Sequence, residues 1–207
     1  MWRPSELITF SIEIENRIDA SGGLRPLPGK ASTLVSIGRH AGGYVRYYRY
    51  DLPRTARRQI EALDPEVALQ DHEAVRRILE GYTACDSVFA GKGYYFATLP
   101  SPEECPDAVY RDRCYVILVD GYPVGWAWAA DESEQAAELA VETLPKYRRR
   151  GYARQVVTAW AAHVLGEGKV AFYSHEVGNT ASEALAHSLG VVQYAVVTTY
   201  SSKTTSG

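Results

Sequence analysis

The residues Arg148-Arg149-Arg150-Gly151-Tyr152-Ala153 combine the chemistry needed to hold a diphosphate. Before them, Leu139 to Thr143 has strand character and Pro145 stops the run. After them, Ala153, Val156, Val157, Trp160, Ala161 and Val164 recur at the i, i+3, i+4, i+7 spacing of an amphipathic helix. The turn therefore opens a helix, and the first N–H groups of a helix lack intrahelical partners and lie at the positive end of its dipole. A phosphate placed there receives hydrogen bonds and a favourable field together. Gly151 lets a ligand approach the backbone closely, and the arginines add charge-assisted bonds. On the strand itself side chains alternate, so Glu138, Ala140 and Glu142 share one face while Leu139, Val141 and Thr143 share the other. Two carboxylates on one face can accept a proton from a nucleophile; the same pattern also describes a solvated strand.

These residues reach a known pattern. Arg148-x-x-Gly151-x-Ala153 resembles the pyrophosphate loop of the GNAT superfamily of acyl-CoA-dependent N-acetyltransferases. Thr143-Leu144-Pro145-Lys146-Tyr147-Arg148 resembles that superfamily's strand end, with Thr where Val is usual. Asn179-x-x-Ser182-x-x-Leu185-x-x-x-Leu189-Gly190 resembles its second cofactor motif, at a separation that suits helix, strand, helix. The resemblance covers roughly residues 110 to 200 and points to a bacterial subgroup of unknown substrate. It implies acetyl-CoA as co-substrate and a primary amine of a small molecule, peptide or protein as acceptor. It further implies that Val141, Glu142 and Thr143 bond the pantetheine arm like an added strand, and that an N–H there polarises the thioester carbonyl. Arg148, Arg149, Arg150, Gly151, Tyr152, Ala153 and Arg154 would wrap the pyrophosphate, chiefly through main-chain N–H groups. Asn179 would bond the pantetheine, and Ser182 belongs to the same motif. Glu142 is the favoured general base, with Glu138 second.

One position departs from the pattern. Many members carry a Tyr seven residues after the Asn as general acid, and here Ala186 stands in that place. Tyr194, His187 or His175 could supply the proton, or the thiolate could leave unprotonated. The departure keeps alive an alternative, a catalytically weak or inactive acyl-CoA-binding module that senses or regulates. His175 by itself also reads as a hydrogen-bonded structural residue.

The elements that must position these groups are legible mainly in the second half. Cys114 to Val119 and Val124 to Ala130 are strand-like runs joined by Asp120-Gly121-Tyr122-Pro123, a hairpin connection, and Ala137 to Thr143 follows as a third strand. Lys169 to Ser174 is a short strand, Thr180-x-x-Glu183 has the form of a capping box opening a helix that ends at Gly190, and Val191 to Tyr200 is the last strand. Earlier, Leu7 to Ile14 reads as strand-like, Gly43 to Tyr50 as a half-exposed strand, and residues from Pro53 to Leu63 and from Asp71 to Leu79 as helices. Residues 20 to 30 and 100 to 109 read as loops. The expected fold class is α/β with a mixed sheet, a GNAT-like acyl-CoA N-acyltransferase fold with an N-terminal extension. Residues 1–99 would complete the fold on the acceptor side and residues 100–207 would form the cofactor-binding core, within one continuous unit.

Composition narrows the remaining classes. A chain of 207 residues with a formal charge of -3 gives no global attraction to nucleic acid or an anionic membrane. Arg46, Arg49, Arg54, Arg57 and Arg58 could form a local basic patch, which Asp51 and Glu61 oppose. No apolar run approaches the roughly 20 residues that span a bilayer, and no leader can be drawn, so the expected address is cytoplasmic. Cys85, Cys105 and Cys114 read as thiols, and the scattered histidines imply no metal. The resemblance adds dimers as a common assembly.

Overall fold

The computed structural model describes residues 2–203. Along the chain run α1 (Pro4–Glu13), β1 (Asn16–Ile18), β2 (Gly23–Pro26), β3 (Ser32–His40), β4 (Gly43–Arg49), α2 (Arg54–Glu61), α3 (Pro65–Gln70), α4 (His72–Glu80) and β5 (Ser87–Tyr95). They are followed by β6 (Ala108–Arg111), β7 (Cys114–Val119), β8 (Tyr122–Glu132), β9 (Ala136–Thr143), α5 (Tyr152–Gly166), β10 (Val170–Glu176), α6 (Thr180–Leu189) and β11 (Val192–Ser202). Two compact units divide these elements, one of Tyr94–Gln193 and the other of Trp2–Gly93 with the chain from Tyr194 on. Both mix parallel and antiparallel pairs and pack helices on them, so the α/β class with mixed pairing is the observed one.

In the unit that holds the chain's start, β3 pairs antiparallel with β4 and with β11, and β2 joins β4 in parallel. Ala56, Ile60, Ala68, Leu69, Val75 and Leu79 from α2, α3 and α4 pack in one core with Leu34, Val35 and Ile37 of β3. Asp71 caps α4 as expected, its carboxylate accepting from the Ala74 N–H at 3.1 Å. The strand expected over Leu7 to Ile14 is instead the helix α1. Pro4 pre-sets the first turn, Glu6 accepts from the Arg3 N–H at 2.8 Å, and Leu7, Ile8 and Ile12 bury one helical stripe. Ile8, Thr9 and Ile12 favour a strand locally, and burial of that stripe overrides them. Two arginines of the supposed basic patch serve the fold: Arg57 donates to the carbonyls of Leu52, Arg49 and Tyr50, and Arg49 pairs with Asp51.

Tyr48 and Tyr200 of this unit hold buried hydroxyls with no hydrogen-bond partner among the described residues. Burial pushes the Tyr48 phenol up to about 12 and raises Tyr200 further in the same direction. In the unfolded chain a phenol ionises near 10, so between that value and the folded one the native chain holds more protons. Stability is therefore full below about pH 10 and falls as pH rises through the folded values. Thermal melts should be flat up to about pH 10 and drop steeply above it, and a Tyr48→Phe variant should drop less.

The second unit orders its strands β10-β9-β8-β7-β6, with the end of β5 included. A two-residue turn, Asp120-Gly121, joins β7 to β8, and both residues have positive φ, 52° and 80°, as a tight hairpin requires. The loop expected over residues 100 to 109 gives way at Ala108 to β6, which pairs with β7 from Ala108 opposite Ile117 to Arg111 opposite Cys114. The amphipathic helix α5 buries Val156, Val157, Trp160, Ala161 and Val164 against Ala127, Ala137, Leu139 and Ile117 of the strands. Those are the residues whose spacing predicts the helix. No helix among the described residues is long and apolar enough to cross a membrane.

Candidate functional site

The site is built where two neighbouring strands part. β9 and β10 run parallel and pair over three residues only: Val170 with Ala136, Ala171 with Ala137, and Phe172 with Glu138. Both continue beyond that point, β9 to Thr143 and β10 to Glu176, with no further pair joining them among the described residues. On its other side β9 stays paired with β8 as far as Thr143 opposite Gly125. The result is a wedge whose β9 edge carries Val141, Glu142 and Thr143, with main-chain groups available for an extended ligand. Glu142 is exposed, Val141 packs partly into the core, and the Thr143 hydroxyl is buried with no hydrogen-bond partner among the described residues. An orphaned buried hydroxyl at the wedge fits a polar ligand that would satisfy it. Glu138 stands where the strands begin to part, and its Oε1 accepts a hydrogen bond from Ser174 Oγ at 2.8 Å.

Beyond Thr143 the chain turns sharply into α5. Pro145–Tyr147 form one 3-10 turn, Arg149 takes φ 60° and Gly151 takes φ 81° with ψ -2°. Two left-handed residues within three positions aim consecutive N–H groups to the same side, the geometry of an anion-binding nest. No side chain caps α5 at Gly151 among the described residues, so its first amides face outward without a partner of that kind. The side chains at the turn divide their tasks. Arg148 Nε donates to the Thr143 carbonyl at 3.1 Å, tying the turn to the strand end. Arg150 lies over the Tyr147 ring at 5.3 Å, and Lys146 lies over the same ring at 4.9 Å. Arg154 is turned away, donating to Glu104 Oε2 at 2.9 Å and to the Ser188 carbonyl at 3.2 Å; only its main chain remains near the turn. Tyr152 and Ala153 open the helix half-buried.

At the start of α6 the capping residue is Asn179, and the expected capping box of Thr180 with Glu183 does not form the cap. Asn179 Oδ1 accepts from the Ser182 N–H at 3.1 Å, because Asn one position earlier already offers the side-chain oxygen that the helix start needs. The amide nitrogen of Asn179 is left for other work. The helix stops as expected at Gly190, φ 67°. Ala186 is 1% exposed and sits in the core with Tyr94 and Tyr173, so this position presents no polar group to the wedge.

A buried polar cluster lies on the α5 side of the parted strand. His175, 5% exposed, has Nδ1 at 2.9 Å from the Glu176 carbonyl and Nε2 at 3.2 Å from the Tyr94 hydroxyl. A carbonyl only accepts, so Nδ1 carries the proton, and in the neutral ring Nε2 accepts from the Tyr94 O–H. The Tyr94 and His175 rings stack at 5.4 Å. Tyr173 completes the group, its hydroxyl donating to the Ser182 carbonyl at 3.0 Å and its phenol held above the usual range by burial. The sequence names His175 but neither Tyr94 nor Tyr173. Tyr94 lies 81 residues before His175, and no local spacing links them. Of the other expected proton donors, His187 is exposed on α6 and Tyr194 belongs to the other unit.

Comparison with known proteins decides the family. The model of the acetyltransferase (GNAT) family matches residues 75–191, more than half of the chain and all of the wedge, turn and second motif. The chain belongs to this family. Among solved structures it is similar to a GNAT-family protein from Novosphingobium aromaticivorans, with 20% identity over 59% of this chain and 68% of that one and a TM-score of 0.49. It is also similar to an acetyltransferase from the GNAT family of Colwellia psychrerythraea, with 11% identity over 77% of this chain and 76% of that one and a TM-score of 0.45. A search of curated proteins returns no match. In this GNAT chain the family match takes in the parted strands and the uncapped helix end together.

Proposed function

We propose that this chain is an N-acetyltransferase that uses acetyl-CoA to acetylate a primary amine on a small molecule or peptide. The observation that carries the reading is the ending of β9–β10 pairing at Glu138, directly ahead of a turn with two left-handed residues and an uncapped helix. Acetyl-CoA, when bound, supplies an acetyl group activated as a thioester. Val141, Glu142 and Thr143 would bond the pantetheine arm through main-chain groups, with the Thr143 hydroxyl gaining the partner it lacks among the described residues. The amides of Arg149 to Arg154 would take the pyrophosphate, with Arg148 holding the turn in register and Arg149 and Arg150 adding positive charge. Glu142, exposed on the face opposite α5, takes the proton from the acceptor amine; Glu138, tied to Ser174, is placed second.

Two assays test the proposal. Calorimetry of the full chain with acetyl-CoA should show binding, and free CoA thiol should appear only when an amine from a panel is added. Binding with no thiol release under any amine would select the acyl-CoA-binding module, the reading that the buried Ala186 favours. A finer expectation concerns Asn179. Ser at this position retains the helix cap but removes the amide nitrogen. Asn179→Ser should therefore melt within about 1 °C of the parent while binding acetyl-CoA about 5- to 10-fold more weakly, the worth of one hydrogen bond. Unchanged affinity would reduce Asn179 to a cap.

A further inference from the structure

The second half of α5 covers a cavity of about 470 Å³ that no step of acetyl transfer uses. Its walls are aromatic. Tyr110 of β6 stacks on His163 of α5, with ring centroids 5.8 Å apart and 22° between planes, and tilts against Tyr115 of β7 at 5.1 Å. Trp160 and the small Ala129 line the cavity as well. At one end stand Glu132 and Glu167, both paired to Lys169, at 2.9 Å and 3.2 Å. Two carboxylates share one ammonium at this end, with Glu167 Oε1 also 3.3 Å from His163 Nε2, while Asp112, which also lines the cavity, pairs with Arg111 at 3.4 Å. The volume lies in the range of small-molecule sites, and aromatic rings backed by carboxylates attract an organic cation through the ring quadrupoles and through charge.

Register places the cavity on the far side of the sheet from the proposed base. Tyr115 pairs with Ala127 and Ala127 with Val141, so Tyr115 and Val141 share the face that α5 covers. Glu142 points to the other face. Along α5, His163 lies eleven residues beyond Tyr152, about 16 Å by the rise of an α-helix.

We infer that this cavity is a second ligand site, distinct from the acetyl-transfer wedge, and that it takes an organic ammonium with an aromatic or compact apolar body. The site stands whether or not the chain acetylates amines. The test uses the full-length chain and benzyltrimethylammonium as probe, followed by tryptophan fluorescence, since Trp160 lines the wall. The expected result is a saturable change with a Kd of about 1 mM or tighter, with benzoate and benzyl alcohol at least about 10-fold weaker because they lack the cation. Tyr110→Ala, at a position 56% exposed and therefore safe for folding, should weaken the probe about 5-fold or more. Glu132→Gln should weaken it similarly by removing one of the two carboxylates paired to Lys169. Acetyl-CoA affinity measured on the same samples should not move, which separates failure here from failure at the wedge. No saturable change, equal binding of benzoate, or full affinity in both variants would overturn the assignment.

Discussion

Gly151→Val should lower the affinity for acetyl-CoA by about 100-fold or more, while Gly151→Asn stays within about 5-fold of the parent. Gly151 has φ 81° and ψ -2°, and a side chain added there meets no atom within 4 Å. Crowding therefore plays no part, and the difference between the variants isolates the backbone. A β-branched residue is a severe outlier at positive φ, whereas Asn adopts the left-handed region readily. With Val the turn must relax, and the amides after Arg149 no longer converge. Charge-assisted hydrogen bonds contribute roughly 1.5–3 kcal/mol each, so misdirecting about two of them reaches the expected loss. Calorimetry on both variants, with circular dichroism to show that each folds, decides it. Equal affinity for Val and Asn would remove the turn from the cofactor site.

Glu142→Gln should cut the turnover of acetyl-CoA with a competent amine by about 10²-fold or more and leave acetyl-CoA affinity unchanged. The side chain is exposed at the wedge, opposite Trp126 in the β8–β9 register, so the amide replaces the carboxylate without disturbing the core. Glu138→Gln should have a smaller effect, since its carboxylate is engaged by Ser174 at 2.8 Å and lies where the strands still pair. Steady-state kinetics across pH measures both. A parent-like rate for Glu142→Gln with a large loss for Glu138→Gln would move the base to the inner position, and parent-like rates for both would leave proton removal to solvent.

Several parts of this arrangement are written in local sequence. The turn from Arg148 to Ala153, the apolar stripe of α5, the Asp120-Gly121 hairpin and the Gly190 stop each follow from turn chemistry or helical spacing within a few residues. Other parts leave little local trace. β3 is buried from Thr33 through Gly38 without alternation, so it lacks the period-two signal of a half-exposed strand. α1 carries β-branched residues and becomes a helix because its stripe is buried.

The same division holds at the site. Sequence alone determined that an Arg/Gly turn opens α5, that Glu138 and Glu142 share a strand face, and that position 186 carries no proton donor. Only the tertiary structure decided that β9 and β10 part after Glu138 and Phe172, and that Asn179 spends its oxygen on capping α6. It likewise turned Arg154 toward Glu104 and brought Tyr94 onto His175. The reason is physical: turn and helix signals come from neighbours in the chain, whereas strand divergence and buried side-chain pairs depend on register between segments far apart in sequence, which no local period encodes.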